Sequence, residues 1–269
     1  MTMKTVILAG GFGTRLSEYT DDIPKPMVPI GGMPMLMHIM GIYAHYDYKD
    51  FVLALGYKAD RVKSYFLNYY TLHSDFTIDM GTGEKSTINR TLLDWKVTLM
   101  NTGLNTMTGG RLRRLAPLLK YETFMCTYGD GVSNIDINKL IEFHRGHGKL
   151  VTMTLARPSA RFGVVETAKN NSVKAFREKP VDSEGWVNAG FFVMEPDFLK
   201  YIKSSDTILE REPLEQAAKD GQLMAYRHEG FWKCMDMKKD VQDLNKMWDD
   251  NQAPWRFDAK LKTPASATA

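Results

Sequence analysis

The stretch TVILAGGFGTRLSEYTDDIPKPM, residues 5–27, decides the fold class of this chain. It starts with a short apolar run, Val6–Ala9, of the kind that forms a buried strand. Three glycines follow, Gly10, Gly11 and Gly13. They let the backbone turn sharply and present N–H groups to an anion, because no Cβ stands in the way. The segment therefore predicts a strand that ends in a loop able to hold phosphate.

Two cations flank this loop. Arg15 carries a planar, permanently charged fork that suits phosphate oxygens, and Lys25 carries a compact positive charge. Pro24 and Pro26 stiffen the backbone on either side of that lysine. A glycine turn that only connects a strand to a helix is an alternative for the glycines taken alone, but it does not explain the flanking cations.

The loop is not one of the two common phosphate motifs. A Walker loop requires Gly-Lys-Ser/Thr after its glycines, and none follows here. A dinucleotide-binding fingerprint requires a third glycine where this chain has Leu16. We therefore expect a phosphate site of another class.

Strand-like and helix-like segments alternate along the first half of the chain. Successive strand-helix units imply a parallel sheet with right-handed crossovers, so we expect a Rossmann-like α/β fold. The predicted helices cover residues 34–46, 59–70, 109–119 and 135–147, and the predicted strands cover residues 51–55, 123–127 and 150–156. Strand candidates at 164–167, 173–176 and 187–194 are expected to share the same sheet.

Residues 71–108 interrupt this alternation. The segment is polar and rich in glycine, with two short strand candidates at 76–80 and 96–100. It is too long for a plain loop, so it should fold as an inserted hairpin or cap.

Asp130 is the first candidate metal ligand. It lies between two glycines directly after an apolar strand, and the carboxyl ends of parallel strands are where open α/β sheets bind ligands. A turn aspartate in a Gly-Asp-Gly bend is the alternative. A phosphate loop nearby favours Mg²⁺, which is commonly held by one or two carboxylates together with phosphate oxygens and water.

The bulk composition excludes several classes. A net charge of +3, without a clustered run of Lys and Arg, gives no reason to expect nucleic acid as a partner. No apolar run is long enough to span a membrane, and the first residues run straight into the phosphate motif, so we expect no signal peptide and a cytoplasmic location. Cys126 is predicted to be a buried thiol. His144 and His147 are predicted to be solvated or capping rather than metal ligands.

The segments LAGGFGTRL and KPM resemble the signature of the sugar-phosphate nucleotidyltransferases, which join a nucleoside triphosphate to a sugar 1-phosphate. Within that family the chain is similar to the glucose-1-phosphate cytidylyltransferases from about residue 4 to residue 256. The supporting segments are KPMVPIGGMPMLMHIM, GYKADRVKSYF, NTGLNTMTGGRLRR, FMCTYGDGVSNIDI, RFGVVE, FREKP, VNAGFFV and GFWKCMDM followed by APW.

The resemblance implies a nucleotide-diphosphosugar transferase fold in one domain, residues 1–256. Residues 1–70 and 109–160 would form the nucleotide-binding core and 161–256 the sugar-binding half. Independently of the resemblance, the small and polar residues at the end of the chain predict a flexible tail over 257–269. The resemblance also implies CTP and glucose 1-phosphate as substrates, Mg²⁺ as cofactor and a homo-oligomer.

The resemblance further implies site residues. Arg15 and Lys25 would be catalytic, and Asp130 and Asp236 would hold the metal. Glu178, Lys179, Asn188 and Gly190 would bind the sugar phosphate. The nucleotide would be bound by Leu8, Ala9, Gly10, Gly11, Phe12, Gly13, Thr14, Arg15, Lys25, Thr106, Arg111 and Gly129.

Local sequence leaves an alternative for four of these residues. Asp236 could be a helix N-cap. Lys179 could be a solvated lysine at a strand end, and Asn188 could serve a turn. Arg111, placed where a glycine turn precedes a helix, could be a cation on the helix surface.

The expected chemistry needs no protein nucleophile. A sugar 1-phosphate, with a second pKa near ~6, is largely dianionic at neutral pH and can attack the α-phosphorus directly. Arg15 and the glycine amides would hold the β- and γ-phosphates, Lys25 the α-phosphate and Lys179 the sugar phosphate.

Three alternatives remain open. The enzyme could use UTP or dTTP, or another sugar 1-phosphate. It could be a non-catalytic binding or regulatory subunit, although such a protein would more often have lost Arg15, Lys25 or Asp130. A glycosyltransferase would share the fold but should show an Asp-x-Asp motif, which the segment MDM is not.

Overall fold

The computed structural model describes residues 3–90, 92–158, 164–167, 172–177 and 185–256. Its strands are β1 (Lys4–Ala9), β2 (Pro29–Ile30), β3 (Met33–Pro34), β4 (Asp50–Leu55), β5 (Ser74–Ile78), β6 (Lys85–Arg90), β7 (Lys96–Asn101), β8 (Phe124–Tyr128), β9 (Gly131–Ser133), β10 (Val151–Ala156), β11 (Val164–Thr167), β12 (Val173–Arg177), β13 (Val187–Met194), β14 (Leu223–Arg227) and β15 (Trp232–Cys234). Its α-helices are α1 (Ser17–Thr20), α2 (Met35–His45), α3 (Ala59–Leu72), α4 (Thr108–Leu119), α5 (Ile137–His147), α6 (Glu212–Lys219) and α7 (Lys238–Asp249). Three 3-10 turns cover Thr14–Leu16, Lys25–Met27 and Pro196–Tyr201.

Seven strands form the main sheet in the order β14-β10-β13-β8-β1-β4-β7. All run parallel except β13, which pairs antiparallel with β8 and β10. The carboxyl ends of β1 and β8 therefore lie side by side at the centre of one edge, the place where open α/β sheets bind ligands. The predicted fold class, a mainly parallel mixed sheet flanked by helices, is confirmed.

Alternate residues of β1 pack against different layers, because successive side chains of a strand point to opposite faces. Val6 and Leu8 belong to a buried cluster with α4 and α6, while Ile7 and Ala9 belong to a larger cluster with α2, α5 and α7. Burial on both faces explains why β1 reads as a continuous apolar run. This central strand holds the loop that follows it in a fixed position.

Strand β7 lies outside the insert in which its sequence was placed. Its residues pair in parallel with β4, from Asp50 opposite Lys96 to Leu55 opposite Asn101, and so extend the main sheet. Only β5 and β6 form the expected hairpin. The residues of β7 are exposed or half-buried, as is usual for an edge strand. Because its sequence lacks a continuous apolar run, it did not indicate that β7 belongs to the main sheet.

Strands β11 and β12 differ from the prediction as well. They pair with each other in a separate two-stranded sheet and take no place in the main one. The edge of β13 that they would need is occupied, because β10 pairs directly with β13 from Val151 to Ala156. The prediction that all three late strands share the main sheet holds only for β13.

Helix α4 begins earlier than expected, and its two glycines lie inside it. A Cβ at Gly110 would lie 2.1 Å from the carbonyl oxygen of Ser205, and one at Gly109 would lie 2.8 Å from that of Thr207. The glycines therefore allow close packing of the helix on the segment before α6, and they do not form a turn. Arg111 therefore belongs to the first turn of the helix, and its side chain is buried.

Two predictions about single side chains can be judged from the structure. Cys126 is buried, as predicted. The prediction for His144 is wrong, because its ring is buried and accepts or donates hydrogen bonds with Thr152 Oγ1 at 2.8 Å and Glu195 Oε1 at 3.1 Å. No helix in the described part of the chain is long and apolar enough to cross a membrane.

Candidate active site

A cavity of about 600 Å³ opens at the carboxyl edge of the sheet, above β1 and β8. All of the predicted nucleotide-binding and metal-binding residues line it: Leu8, Ala9, Gly10, Gly11, Phe12, Gly13, Thr14, Arg15, Lys25, Thr106, Arg111, Gly129, Asp130 and Asp236. Residues separated by more than two hundred positions in the sequence therefore meet around one space. Their roles remain predictions, while their common location is an observation.

The glycine loop turns back on itself immediately after β1. Gly13 has a φ of 67°, a left-handed conformation that a side chain strains, and a Cβ there would lie 3.0 Å from Cβ of Lys25. The chain then forms the 3-10 turn Thr14–Leu16, which buries Leu16 and leaves Arg15 mostly exposed. The absence of a side chain at Gly13 thus allows Lys25 to approach the loop.

Four charged side chains converge at one wall of the cavity. Lys25 Nζ lies 2.6 Å from Asp130 Oδ2 and 3.0 Å from Asp236 Oδ1. Arg15 Nη1 contacts the second carboxylate oxygen of Asp236. The Lys25 side chain is 14% exposed and the Arg15 side chain is 75% exposed, so the lysine is fixed and the arginine extends into solvent.

The cluster keeps its charges near neutral pH. Burial lowers the pKa of Lys25, but the carboxylates of Asp130 and Asp236 outweigh burial and hold that pKa above its ordinary value. Burial raises the pKa of Asp236, but Lys25 and Arg15 outweigh it and hold that pKa below its ordinary value. Two cations and at least one carboxylate anion therefore meet at this wall of the cavity.

Asp236 is not the N-cap of α7. The helix starts at Lys238 and its N-cap is Met237. The Asp240 carboxylate in the first turn accepts from the two N–H groups just before the helix, Asp236 N at 3.0 Å and Met237 N at 2.9 Å. The side chain of Asp236 is thereby left to point at Lys25 and Arg15. The N-cap alternative from the sequence is wrong.

Arg111 is a buried residue, which overturns the alternative that it is a helix-surface cation. Its Nη1 donates to the carbonyl oxygen of Leu55 at 3.0 Å and to Thr102 Oγ1 at 2.7 Å, and its Nη2 donates to the carbonyl oxygen of Gly10 at 2.8 Å. It makes further bonds to the carbonyl oxygens of Gly103 and Leu104. The guanidinium therefore connects the ends of β1, β4 and β7.

The position of the Arg111 guanidinium explains why the first residue of the loop, Gly10, has no side chain. A Cβ at Gly10 would lie 2.2 Å from Arg111 Nη1, whereas a Cβ at Gly11 would meet nothing within 4 Å. Burial lowers the pKa of Arg111, but a guanidinium stays charged in proteins. The positive charge remains at the floor of the cavity, while its hydrogen bonds are made to the protein.

The predicted sugar-binding residues divide into two groups. Glu178 and Lys179 lie outside the described residues. Asn188 and Gly190 lie on β13, beside the cavity and not among the residues that line it. Asn188 Nδ2 donates to Tyr128 Oη at 3.0 Å, and Tyr128 does line the cavity.

Sequence reasoning missed Tyr128, Thr108 and Glu210, which also line the cavity. Tyr128 stands two positions before Asp130 at the end of β8, so its location could have been inferred. Glu210 lies in the segment between β13 and α6, where no motif or strand end marks it.

A family model described as Nucleotidyl transferase matches residues 4–252 of this chain. The chain belongs to the nucleotidyl transferase family. The resemblance inferred from the motifs is thus confirmed, and so is the prediction of a sugar-phosphate nucleotidyltransferase.

Individual members of the nucleotidyl transferase family are also similar to the chain. It is 45% identical over 255 residues to the glucose-1-phosphate cytidylyltransferase of Salmonella typhimurium, a match that covers 94% of this chain and 99% of that protein. It is 31% identical to the mannose-1-phosphate guanyltransferase of Aspergillus oryzae, which covers 88% of this chain and 62% of that protein. The fold matches the structure of an apo UDP-glucose pyrophosphorylase with a TM-score of 0.67 at 15% identity, covering 94% of this chain and 100% of that one.

Proposed function

We propose that this nucleotidyltransferase transfers the cytidylyl group of CTP to α-D-glucose 1-phosphate and releases CDP-glucose and pyrophosphate. The convergence of Arg15, Lys25, Asp130 and Asp236 on one cavity carries the proposal, because it provides cations for a triphosphate and carboxylates for a metal in one place. The 45% identity to a glucose-1-phosphate cytidylyltransferase over nearly the whole length supports the choice of base and sugar.

The reaction is a displacement at the α-phosphorus of CTP. An oxygen of the sugar phosphate forms a bond to that phosphorus, the bond to the bridging oxygen of the β-phosphate breaks, and pyrophosphate leaves with the electron pair. Because the attacking group is already ionised, the protein needs no general base. Its task is to align two anions and to stabilise charge on the transferring group.

Each cation has a role that fits its exposure. Lys25 is nearly buried and fixed by two carboxylates, so it suits the α-phosphate, where position matters most. Arg15 is exposed and can follow the β- and γ-phosphates as they depart. Lys179 would neutralise the incoming sugar phosphate, a role that rests on the sequence motif alone.

The donor set of the cavity fits Mg²⁺. Asp130 and Asp236 bring their carboxylates to the same lysine nitrogen, and among the described residues no group of three or more His, Cys, Asp or Glu side chains is arranged to hold a metal. Two carboxylates completed by phosphate oxygens and water are the coordination that Mg²⁺ favours over an all-protein site. When bound, Mg²⁺ would supply positive charge that stabilises the transferring phosphoryl group.

Binding of the cation would require Lys25 to release Asp130 and Asp236. The side chain would then be free to turn its ammonium group to a phosphate oxygen. The homo-oligomeric state remains a prediction of the resemblance, and the cytoplasmic location remains a prediction of the sequence pattern.

Pyrophosphate release tests the proposal. The purified protein is incubated with Mg²⁺, glucose 1-phosphate and one of CTP, UTP, dTTP or GTP, and the same series is repeated with mannose 1-phosphate. We expect CTP with glucose 1-phosphate to be the preferred pair. A preference for UTP or dTTP would overturn the base assignment and leave the chemistry intact, whereas no release from any pair would favour a non-catalytic subunit.

A further inference from the structure

A continuous chain of hydrogen bonds crosses the wall of the cavity away from the cationic cluster. It joins four side chains from four different parts of the fold: Thr108 at the start of α4, Tyr128 at the end of β8, Asn188 on β13 and Glu210 before α6. Three of them line the cavity, and Asn188 lies directly behind Tyr128.

Glu210 is the centre of this chain. Its Oε1 accepts from Tyr128 Oη at 2.5 Å, and its Oε2 accepts from Thr108 Oγ1 at 2.7 Å. Thr108 Oγ1 in turn accepts from the backbone N–H of Leu209 at 2.9 Å. Both carboxylate oxygens are therefore held, one by each side of the cavity.

The far end of the chain is held equally well. Tyr128 Oη accepts from Asn188 Nδ2 at 3.0 Å, and Asn188 Oδ1 accepts from the backbone N–H of Gly190 at 2.9 Å. Gly190 has a φ of 78°, and a Cβ there would lie 2.4 Å from Cδ2 of the Tyr128 ring. The ring is thus packed against Gly190, and only the hydroxyl proton of Tyr128 can still rotate.

The Glu210 carboxylate sets the direction of this proton. Because a carboxylate can only accept, the Tyr128 proton must point at Glu210, and a lone pair of Tyr128 Oη must then face Asn188. An amide that donates from Nδ2 to the tyrosine has its Oδ1 fixed toward Gly190. The charge at Glu210 therefore fixes the direction of the Tyr128 hydroxyl proton, and the Asn188 amide completes the pattern by donating to the same oxygen.

We propose that Glu210 is a positioning residue for the sugar 1-phosphate, and that it acts by fixing the direction of the Tyr128 hydroxyl proton, and with it the hydrogen-bond pattern that Tyr128 and Asn188 present to the sugar. The proposal rests on the proposed function, since Asn188 and Gly190 belong to the segment that resembles the sugar-reading motif. Glu210 lies 195 positions after Arg15 in the sequence, and the cationic cluster does not include it.

The substitution Glu210→Gln tests the role without changing side-chain volume. A glutamine can satisfy Thr108 through its oxygen only by presenting its NH₂ group to Tyr128, which then receives two donors and loses its fixed proton. We expect the KM for glucose 1-phosphate to rise about tenfold, as for the loss of a charged hydrogen bond, with the KM for CTP within about twofold of wild type. Glu215→Gln removes the same charge from an exposed position of α6 and should change neither constant.

A double-mutant cycle with Tyr128→Phe shows whether Glu210 acts through the tyrosine. If it does, Glu210→Gln adds less than about a twofold change on the Tyr128→Phe background, because the link is already broken. Effects that multiply in full would overturn the positioning role. Should Glu210→Gln fail to fold, Tyr128→Phe carries the test by itself, and an unchanged KM for glucose 1-phosphate would count against the proposal.

The assay separates this proposal from the proposed function. An active wild type with an unchanged sugar KM in Glu210→Gln, or with a raised CTP KM instead, would overturn the positioning role alone. A wild type that releases no pyrophosphate, and that shows no binding of glucose 1-phosphate by calorimetry in the presence of CTP and Mg²⁺, would overturn both.

Discussion

Two kinds of charged or polar group surround this cavity, and they differ in what their hydrogen bonds are made to. Arg15 and Lys25 at the rim contact the carboxylates of Asp130 and Asp236, which are the proposed metal ligands. Arg111 at the floor is bonded to carbonyl oxygens of the loops around it. His38 is buried, does not line the cavity, and is likewise bonded to the protein, at Ile30 and Trp255. Groups of the first kind can change partners, and groups of the second kind cannot without breaking the fold.

A cation that lines this cavity can therefore have its hydrogen bonds made to the protein itself. Arg15 and Arg111 line the same cavity and carry the same charge, yet one is 75% exposed at its side chain and the other is buried. We therefore expect substitutions at the rim to reduce catalysis with little effect on stability. Substitutions at the floor should reduce stability first.

Lys25→Gln should give the largest effect. Loss of one well-placed cation from a phosphoryl-transfer site costs roughly 3 to 4 kcal/mol of transition-state stabilisation, or several hundredfold in kcat. Steady-state pyrophosphate release at saturating substrates measures the loss. A loss in kcat smaller than about tenfold would contradict the role of Lys25. The matched control is Lys239→Gln, which removes a lysine from an exposed position of helix α7.

Arg111→Met should destabilise the protein by about 3 kcal/mol, because several buried carbonyl oxygens lose their donor at once. For a chain of this size that corresponds to a fall in Tm of roughly 6–10 °C. Thermal unfolding followed by circular dichroism is the measurement, with Arg114→Met on the same helix as control. An unchanged Tm together with a raised KM for CTP would show that Arg111 serves the nucleotide and not the loops.

His38 should make the protein sensitive to acid. Burial lowers the pKa of this histidine to about 4, so the unfolded chain binds the proton more tightly than the folded one between pH 6.5 and 4. Stability is therefore retained above pH 6.5 and lost as the pH falls, by about 2 kcal/mol at pH 5. Urea unfolding of wild type and His38→Gln across this range isolates the contribution.

The difference between the two pH profiles tests whether His38 stays neutral in the folded protein. The free energy of unfolding of the variant should fall less steeply with acid than that of wild type. Parallel pH profiles would show that His38 does not remain neutral in the folded state.

Gly10→Ala and Gly11→Ala give the smallest and most selective effect. The added methyl at Gly10 meets the Arg111 guanidinium at 2.2 Å, whereas the one at Gly11 meets open space. We expect Gly10→Ala to lower the free energy of unfolding by about 1–3 kcal/mol, as for overpacking, and Gly11→Ala to leave it unchanged. Equal melting temperatures for the two variants would mean that the loop does not depend on Arg111.

Much of this site could be predicted from local sequence. The glycine loop and Asp130 directly follow apolar strands, and strand ends of a parallel sheet are brought together by the fold itself. Arg15 and Lys25 follow the glycine loop along the chain, and their charge suggested that they face the same anion. Asp236 was added only by resemblance, because its position depends on β15 pairing with β9. That pairing leaves no trace in the residues around it.

The contacts of Arg111, and the presence of Glu210, could not be predicted. Both depend on which segments pack behind the cavity, and the close approach of Ser205 to Gly110 that sets this packing is a tertiary feature. The same holds for β7, whose half-exposed pattern did not reveal that it pairs with β4. It holds also for β11 and β12, whose sequences did not reveal that they pair with each other. Local patterns gave the elements, and long-range pairing determined their partners.

A crystal structure with CTP and Mn²⁺ tests most directly the central claim that the rim cations exchange carboxylates for phosphate. We expect an anomalous peak from Mn²⁺ beside the carboxylates of Asp130 and Asp236. Lys25 Nζ should have moved to an oxygen of the α-phosphate, and Arg15 should have turned to the β- or γ-phosphate. A Lys25 still bonded to both carboxylates, with the nucleotide bound and the metal elsewhere, would contradict it.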